Sequence, residues 1–499
     1  MTATPPTTTP GTSPSPTGTG VPRPDGSRSR WLVLAIVAVA QLTVVLDATI
    51  VNIALPAAQA DLQMSDSARS SVVTVYALAF GALLLLGGRI ADYWGRKRSF
   101  LVGMAGFALA SGLGGIATSG TMLLAARGAQ GAFAALLAPA ALAVLSVTFP
   151  SGRDRIRAFT VYGSIGGGGA AVGLVLGGVL TEYLSWHWCL LVNVPIAAAA
   201  IAVAVPVLQE SRADGDTRYD LPGAVLVTAG LGSLVYGFSR AESGWGRWDT
   251  IGFIVLGVAL LAAFVAVEHR AAAPLLPLRV VADRVRGGAY LVSVLVGAAL
   301  LGALLYLTLH FQIVLGLSPV RAGVASLPMT VAIVSTAPVV ARLLGVVGPR
   351  ILMTVGPLVA ASGLLWMSSI TADGSYWTQV LPGQLLLGVG LALVFIPMQN
   401  LALARIEPRD SGVASAALNA TQQIGGSVGT AVFTAVYGAV VTGAGAGAGP
   451  AALASFVDGY SSVFLAAAIG LLAAAPIAWL MVTVDRRTFA TPDEPVHLG

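Results

Sequence analysis

Charge is what this chain has least of. Only 10% of its 499 residues are Asp, Glu, Lys or Arg, while 56% are hydrophobic. An ordinary soluble domain carries about a quarter charged residues, so a water-soluble globule is excluded. The mean hydropathy of +0.84 agrees, and the length must come from many membrane spans rather than several soluble domains. Cysteine is nearly missing. Cys189 stands alone, which excludes an intrachain disulfide and a cysteine-based metal cluster. His187, His269, His310 and His497 are scattered and form no metal-ligand pair at helical spacing. No Gly-rich phosphate loop of the Walker type is present, which argues against ATP as the energy source. Neither an appended soluble domain nor a cluster of two histidines and an acid is visible, which argues against a membrane enzyme or sensor. Lysine is scarce as well: Lys97 is the only one among 27 basic residues. With the heavy Ala, Gly and Val usage, that points to a high-GC bacterial genome.

What the chain does have is apolar runs. Residues 1–30 are rich in Thr, Pro, Ser and Gly and read as a disordered tail. The run that follows, from Trp31 to about Ala57, is too long for a signal-peptide core. Runs of the roughly 20 residues that a bilayer-crossing helix needs fall near 31–57, 70–91, 99–117, 121–149, 158–183, 188–207, 221–240, 250–268, 287–310, 322–345, 350–371, 376–402, 411–443 and 459–484. The expected fold is therefore an all-α integral membrane protein of fourteen spans. With the N-terminus inside, 22 basic residues fall in inside segments and only Arg69, Arg240, Arg247 and Arg321 fall outside; Arg127 lies within a span. The positive-inside rule thus supports fourteen spans in a plasma membrane with both termini cytoplasmic.

An internal repeat supports the same layout. "GRIADYWGRKR" (88–98) and "ARLLGVVGPRI" (341–351) both fall in short inside loops, after the second and tenth spans. Aligned without gaps, Arg89 meets Arg342, Gly95 meets Gly348 and Lys97 meets Arg350. Internal repeats around a midplane site are the usual build of secondary transporters. The expected organisation is a six-helix bundle over 31–207, two inserted helices with their loops over 208–286, a second six-helix bundle over 287–484, and a cytoplasmic tail over 485–499.

Several segments resemble one family. "GRIADYWGRKRSF" is similar to the loop signature of the major facilitator superfamily. "LDATIVNIALP" (46–56), "LLAARGAQGAFAA" (123–135), "LSWHWCLLVNVPIA" (184–197) and "GVASAALNATQQIGGSVGTA" (412–431) resemble segments of its fourteen-span drug:proton antiporters, the EmrB/QacA type. Two departures stand out: Leu174 replaces an expected proline in "VGLVLGG" (172–178), and His187 replaces the commoner arginine in "WHW". The resemblance implies two six-helix bundles plus two extra helices, no cofactor, and a proton gradient as energy source. It also implies lipid, protons and a small drug-like molecule as partners, no nucleic acid, and a working monomer.

Asp47 is the only acid expected deep inside a span. A charge there costs about 2.5–3.5 kcal/mol on insertion scales and marks a functional site by default. Burial raises a carboxyl pKa and a nearby cation lowers it, so a carboxyl balanced between the two can exchange protons. Counted at 1.5 Å per residue from the outer boundary, Asp47 and Arg127 sit at depths of about 15 Å and 9 Å, within reach of an arginine side chain. Gln130 shares the Arg127 face. The pair is either a proton carrier or a static tie between the first and fourth helices. Asn52, five residues beyond Asp47, either orients a substrate or satisfies a neighbouring helix.

Gly88, Arg89, Asp92, Gly95, Arg96 and Lys97 form an expected conformational gate. Asp92 can face Arg96 or the positive N-terminus of a neighbouring helix, which in the resembled fold starts near Ser411. The basic residues also read as ordinary inside anchors. Gly169, Gly173, Gly177 and Gly178 form a stripe that permits close helix approach, either as static packing or as a seal between the halves. Tyr76, Gln130, Asn419 and Gln422, with Asn52, are candidate substrate-cavity residues, the polar groups of the thirteenth span reading equally as bonds between helices. Phe80, Trp366 and Phe395 are further aromatic candidates, although core or lipid-facing positions are the commoner reading of these and of Tyr76. Cys189 reads as a small apolar filler. The leading function is proton-driven efflux of lipophilic or cationic drugs. Proton-coupled uptake or export of one specific metabolite is the alternative, and hydrophilic-solute uptake asks for more polar groups than these spans supply.

Overall fold

In lipid every backbone N–H and C=O must find a partner within the protein, and this chain meets that demand with helices alone. The structure, a computed structural model, describes residues 27–150, 152–212, 220–241, 244–271, 274–276, 278–403, 411–443 and 450–483, and no strand occurs among them. The expected tails therefore fall almost wholly outside the described residues. The long helical segments are α1 Ser27–Asp61, α2 Asp66–Trp94, α3 Arg96–Gly115, α4 Gly120–Thr148, α5 Gly152–Tyr183, α6 Trp188–Val207, α7 Leu221–Arg240, α8 Trp248–Arg270, α9 Arg284–Val314, α10 Pro319–Val347, α11 Pro349–Met367, α12 Tyr376–Ala402, α13 Ser411–Gly443 and α14 Pro450–Met481.

Twelve candidate spans, long and apolar enough to cross a membrane, lie among the described residues. The expected count of fourteen exceeds this by two helices, α3 and α5. The basic first turn and the glycines of α3 dilute its hydropathy, and in α5 the described side chains give the apolar stretch Gly169–Tyr183 within a 32-residue helix.

Helix starts follow ordinary capping chemistry. Ser65, Ser119, Asp220, Asp283 and Ser318 each accept a backbone N–H of the first turn, replacing a partner the helix cannot supply. Helices α1 to α6 pack on one another, with α1 against α5, α4 and α6, and α2 against α4. Helices α9 to α14 do the same, with α9 against α13 and α14, and α11 against α12 and α14. The α7–α8 hairpin rests through α7 on α2 and α13, one helix from each half. Its outer member α8 turns Ile251, Val255, Val258 and Val265 outward, as a lipid-facing helix does.

The loop repeat has a structural counterpart. Gly95 and Gly348 both take positive φ, 128° and 82°, a region that disfavours any side chain. Lys97 Nζ donates to Val205 O on α6 at 2.7 Å, and Arg350 Nε donates to Trp479 O on α14 at 2.9 Å. Each aligned cation thus ties its loop to the sixth helix of its own half.

Candidate functional site

Asp47 lies midway along α1 with no exposed surface, and three side chains converge on it. Arg127 Nη1 on α4 donates to Asp47 Oδ2 at 2.6 Å. Gln130 Nε2, one turn further along α4, donates to Asp47 Oδ1 at 2.7 Å, and Asn193 Nδ2 on α6 donates to the same oxygen at 3.0 Å. Behind them Ser111 Oγ on α3 accepts from Gln130 and Asn193 and donates to Leu190 O. Arg127 Nη1 also donates to Gln130 Oε1 at 2.7 Å, and the guanidinium lies 4.1 Å from the centroid of the Tyr76 ring. Three helices, α1, α4 and α6, therefore meet at one carboxylate with α3 behind them, and every group that touches it is a donor. The site is built around the ionised acid, with the arginine charge balanced by the carboxylate on one side and an aromatic face on the other.

The depth argument placed Arg127 and Gln130, but not Asn193 or Ser111. A lone asparagine in "LLVNVPIA" was the available signal; a hydroxyl in the third span offered none.

The residues expected at a substrate cavity are not brought together in this conformation. Asn52, Tyr76 and Gln130 are sealed in the bundle at 1%, 2% and 0% exposure. Asn52 Nδ2 donates to Ala48 O within its own helix, Tyr76 supports Arg127, and Gln130 is spent on Asp47. On α13, Asn419 is exposed and Gln422 half-buried, its backbone pressed against Gly297 of α9. Trp366 is exposed and donates to Thr378 O, so it walls no cavity; Phe395 is half-buried against the core.

The basic loop is held chiefly within its own half. Arg96 pairs with Asp92 at 3.2 Å, while Glu210 accepts the backbone N–H groups of Lys97 and Arg98. A side chain at Gly95 would meet that same Glu210 carboxylate. Arg89, beside Gly88 on α2, donates to Tyr93 and, at 3.1 Å, to Pro274 O in the segment leading to α9. The residues just before Ser411 and the first side chains of α13, the other expected partner of Asp92, lie outside the described residues.

The glycine stripe divides in two. Gly169, Gly173 and Gly177 face Val45, Thr49 and Ile50 of α1, inside the N-terminal half. Gly178 faces Pro319 and Val320 of α10, in the other half, where Gly323 approaches Leu174 O in return.

Contacts between the halves are bonded at the end carrying Asp66, opposite Gly95. Gln312 Nε2 donates to Ile53 O at 2.9 Å, and Glu182 accepts Val320 N–H at 2.9 Å. Tyr437 donates to Asp66 at 3.3 Å. Arg69, expected in an outside segment, is 2% exposed there, pairing with Asp66 at 3.0 Å and donating to Gln59 at 2.6 Å.

A helical bundle with a loop-level repeat, its halves bonded to each other at one end and a buried acid held within one half, has the build of a secondary transporter. The Major Facilitator Superfamily profile matches residues 37–430, and the chain belongs to that family. It is 46% identical over 471 residues to the puromycin resistance protein of Streptomyces alboniger, covering 93% of both chains. It is 40% identical to the cephamycin export protein of Amycolatopsis lactamdurans (93% and 95%), and 34% to the lincomycin resistance protein of Streptomyces lincolnensis (94% of each). Among solved structures, the fold matches a bacterial homologue of the human lysosomal transporter Spinster in an inward-facing, unoccupied conformation. That match has a TM-score of 0.67 at 17% identity, over 93% of this chain and 98% of that one.

Proposed function

We propose that this chain exports an antibiotic or related drug-like molecule across the plasma membrane in exchange for protons, with Asp47 as the proton carrier. The observation that carries the coupling role is the closed donor set around Asp47: Arg127, Gln130 and Asn193 all present N–H groups to it. A proton arriving at Asp47 places an O–H among donors. At least one bond must then break, and Arg127 loses its counter-charge, so the tie from α1 to α4 and α6 loosens. Membrane acids with such partners mark ion pathways, and buried pairs are poor stabilisers in their own right. The names of the relatives support a drug as cargo.

In this reading the Gly95 end faces the cytoplasm with both termini, the chain spans the bilayer fourteen times, and it works as a monomer. The bonded Asp66 end is then the closed outer end, and rocking of the two six-helix halves about the middle of the bundle opens it in turn while α7 and α8 ride between them. Expression in an efflux-deficient host tests the reading. Resistance to puromycin, a cephamycin or lincomycin should rise at least several-fold, and a protonophore should abolish the associated drug efflux. No change in resistance to any antibiotic, with faster uptake of a metabolite instead, would favour the uptake alternative.

A further inference from the structure

A second buried acid lies far from Asp47, at the Gly95 end of the α7–α8 hairpin. Glu268, in the last turn of α8, is 3% exposed, and Asp220, the N-cap of α7, is 9% exposed. Each carboxylate has one oxygen in use. Asp220 Oδ1 accepts Gly223 N–H at 2.8 Å, and Glu268 Oε2 accepts Leu276 N–H at 3.1 Å. Each has one oxygen with no partner, Asp220 Oδ2 and Glu268 Oε1. Those two bare oxygens flank the same point beside Gly223, and the side chains are within hydrogen-bonding reach of each other.

Among the described residues no cation pairs with either acid. The charged and titratable groups nearby are otherwise committed. Arg89 and Tyr93 on α2 bond each other, and Arg89 also holds Pro274 O. His269 and Arg270 on α8 are exposed, α13 carries no charged residue, and the segment 274–276 carries none. Two ionised carboxylates facing each other in a buried site repel strongly, and both bare oxygens would go unsatisfied. One proton between them makes an O–H···O bond that satisfies both.

We propose that Asp220 and Glu268 form a second proton-binding site, holding one shared proton, on the strap that joins the inserted hairpin to α9. Glu268 anchors that strap at Leu276, two residues from the Pro274 carbonyl that Arg89 holds. The site is separate from Asp47 and adds a carboxyl to the chain's proton inventory.

Infrared difference spectroscopy of the full-length protein in lipid nanodiscs tests this directly, because a carboxylic acid has a C=O stretch that a carboxylate lacks. In the Asp47→Asn background, a carboxylic-acid band should remain and lose intensity as pH is raised. It should be absent from D47N/E268Q and from D47N/D220N alike, since either amide can donate to the remaining carboxylate without a proton. Thermal unfolding of each variant checks that the fold survives, and two independent variants protect against loss of one. The idea is overturned if D47N shows no such band, or if the band persists in both double variants. It is also overturned if sodium or calcium, rather than raised pH, removes the band, for then the bare oxygens hold a metal ion. The measurement reads protonation rather than transport, so it stands apart from the export reading.

Discussion

At the residue scale the account turns on what each donor does for Asp47. Arg127→Ala leaves an ionised carboxylate buried without its counter-charge, a loss of about 3–5 kcal/mol. A large fall in thermal midpoint in lipid should report it. Asn193→Ala removes one hydrogen bond to the same charged group, about 1.5–3 kcal/mol, and should lower the midpoint by a smaller step. Should the two variants be equally stable to wild type, the network is not the tie described above. The pair itself was legible in the sequence because both members are ionisable, and charge inside an apolar run has few ordinary explanations. Asn193 and Ser111 were not, because a neutral amide or hydroxyl in a helix can satisfy itself on its own backbone. Only the meeting of α3, α4 and α6 gives them a role. Glu268 escaped for a similar reason: next to His269 and Arg270 it reads as a solvated helix end, and its burial depends on α7 and the strap.

At the scale of elements, spacing alone showed that α5 has a small-residue face but not what touches it. One residue of rotation separates two partners. A methyl at Gly177 would lie 2.8 Å from Ile50 O, inside the N-terminal half, and Gly177→Ala should cost about 1–3 kcal/mol through overpacking. A methyl at Gly178 would lie 2.6 Å from Pro319 O, across the two halves. Gly178→Ala should therefore leave the thermal midpoint nearly unchanged yet shift the molecule toward the state open at the Asp66 end. Accessibility of a cysteine introduced on that side to a membrane-impermeant thiol reagent measures the shift. Equal destabilisation by both substitutions would mean that the stripe is packing throughout. The loop repeat was likewise visible as Gly95 and Gly348, but the reason for the glycines was not. It lies in their positive φ and, for Gly95, in Glu210, which is 115 residues away in sequence.

For the whole molecule, composition was enough to read a membrane protein, because so little charge cannot cover a surface in water; the transporter reading rested on the loop repeat and the family resemblance. The number of spans was harder. Helix α3 has a basic first turn and many glycines that lower its hydropathy, so twelve spans stand out among the described residues and fourteen rest on the charge bias. Reporter fusions at both ends should place both termini in the cytoplasm; an external C-terminus would remove one span from the account. The central claim is that Asp47 titrates during transport. Purified protein reconstituted in liposomes with an internal pH dye measures it most directly. Adding an exported drug should drive proton movement in the wild type, while Asp47→Asn should exchange drug across the bilayer with no proton movement. Drug-driven proton movement that persists undiminished in Asp47→Asn would contradict the account and leave the Asp47–Arg127 pair as a tie between helices.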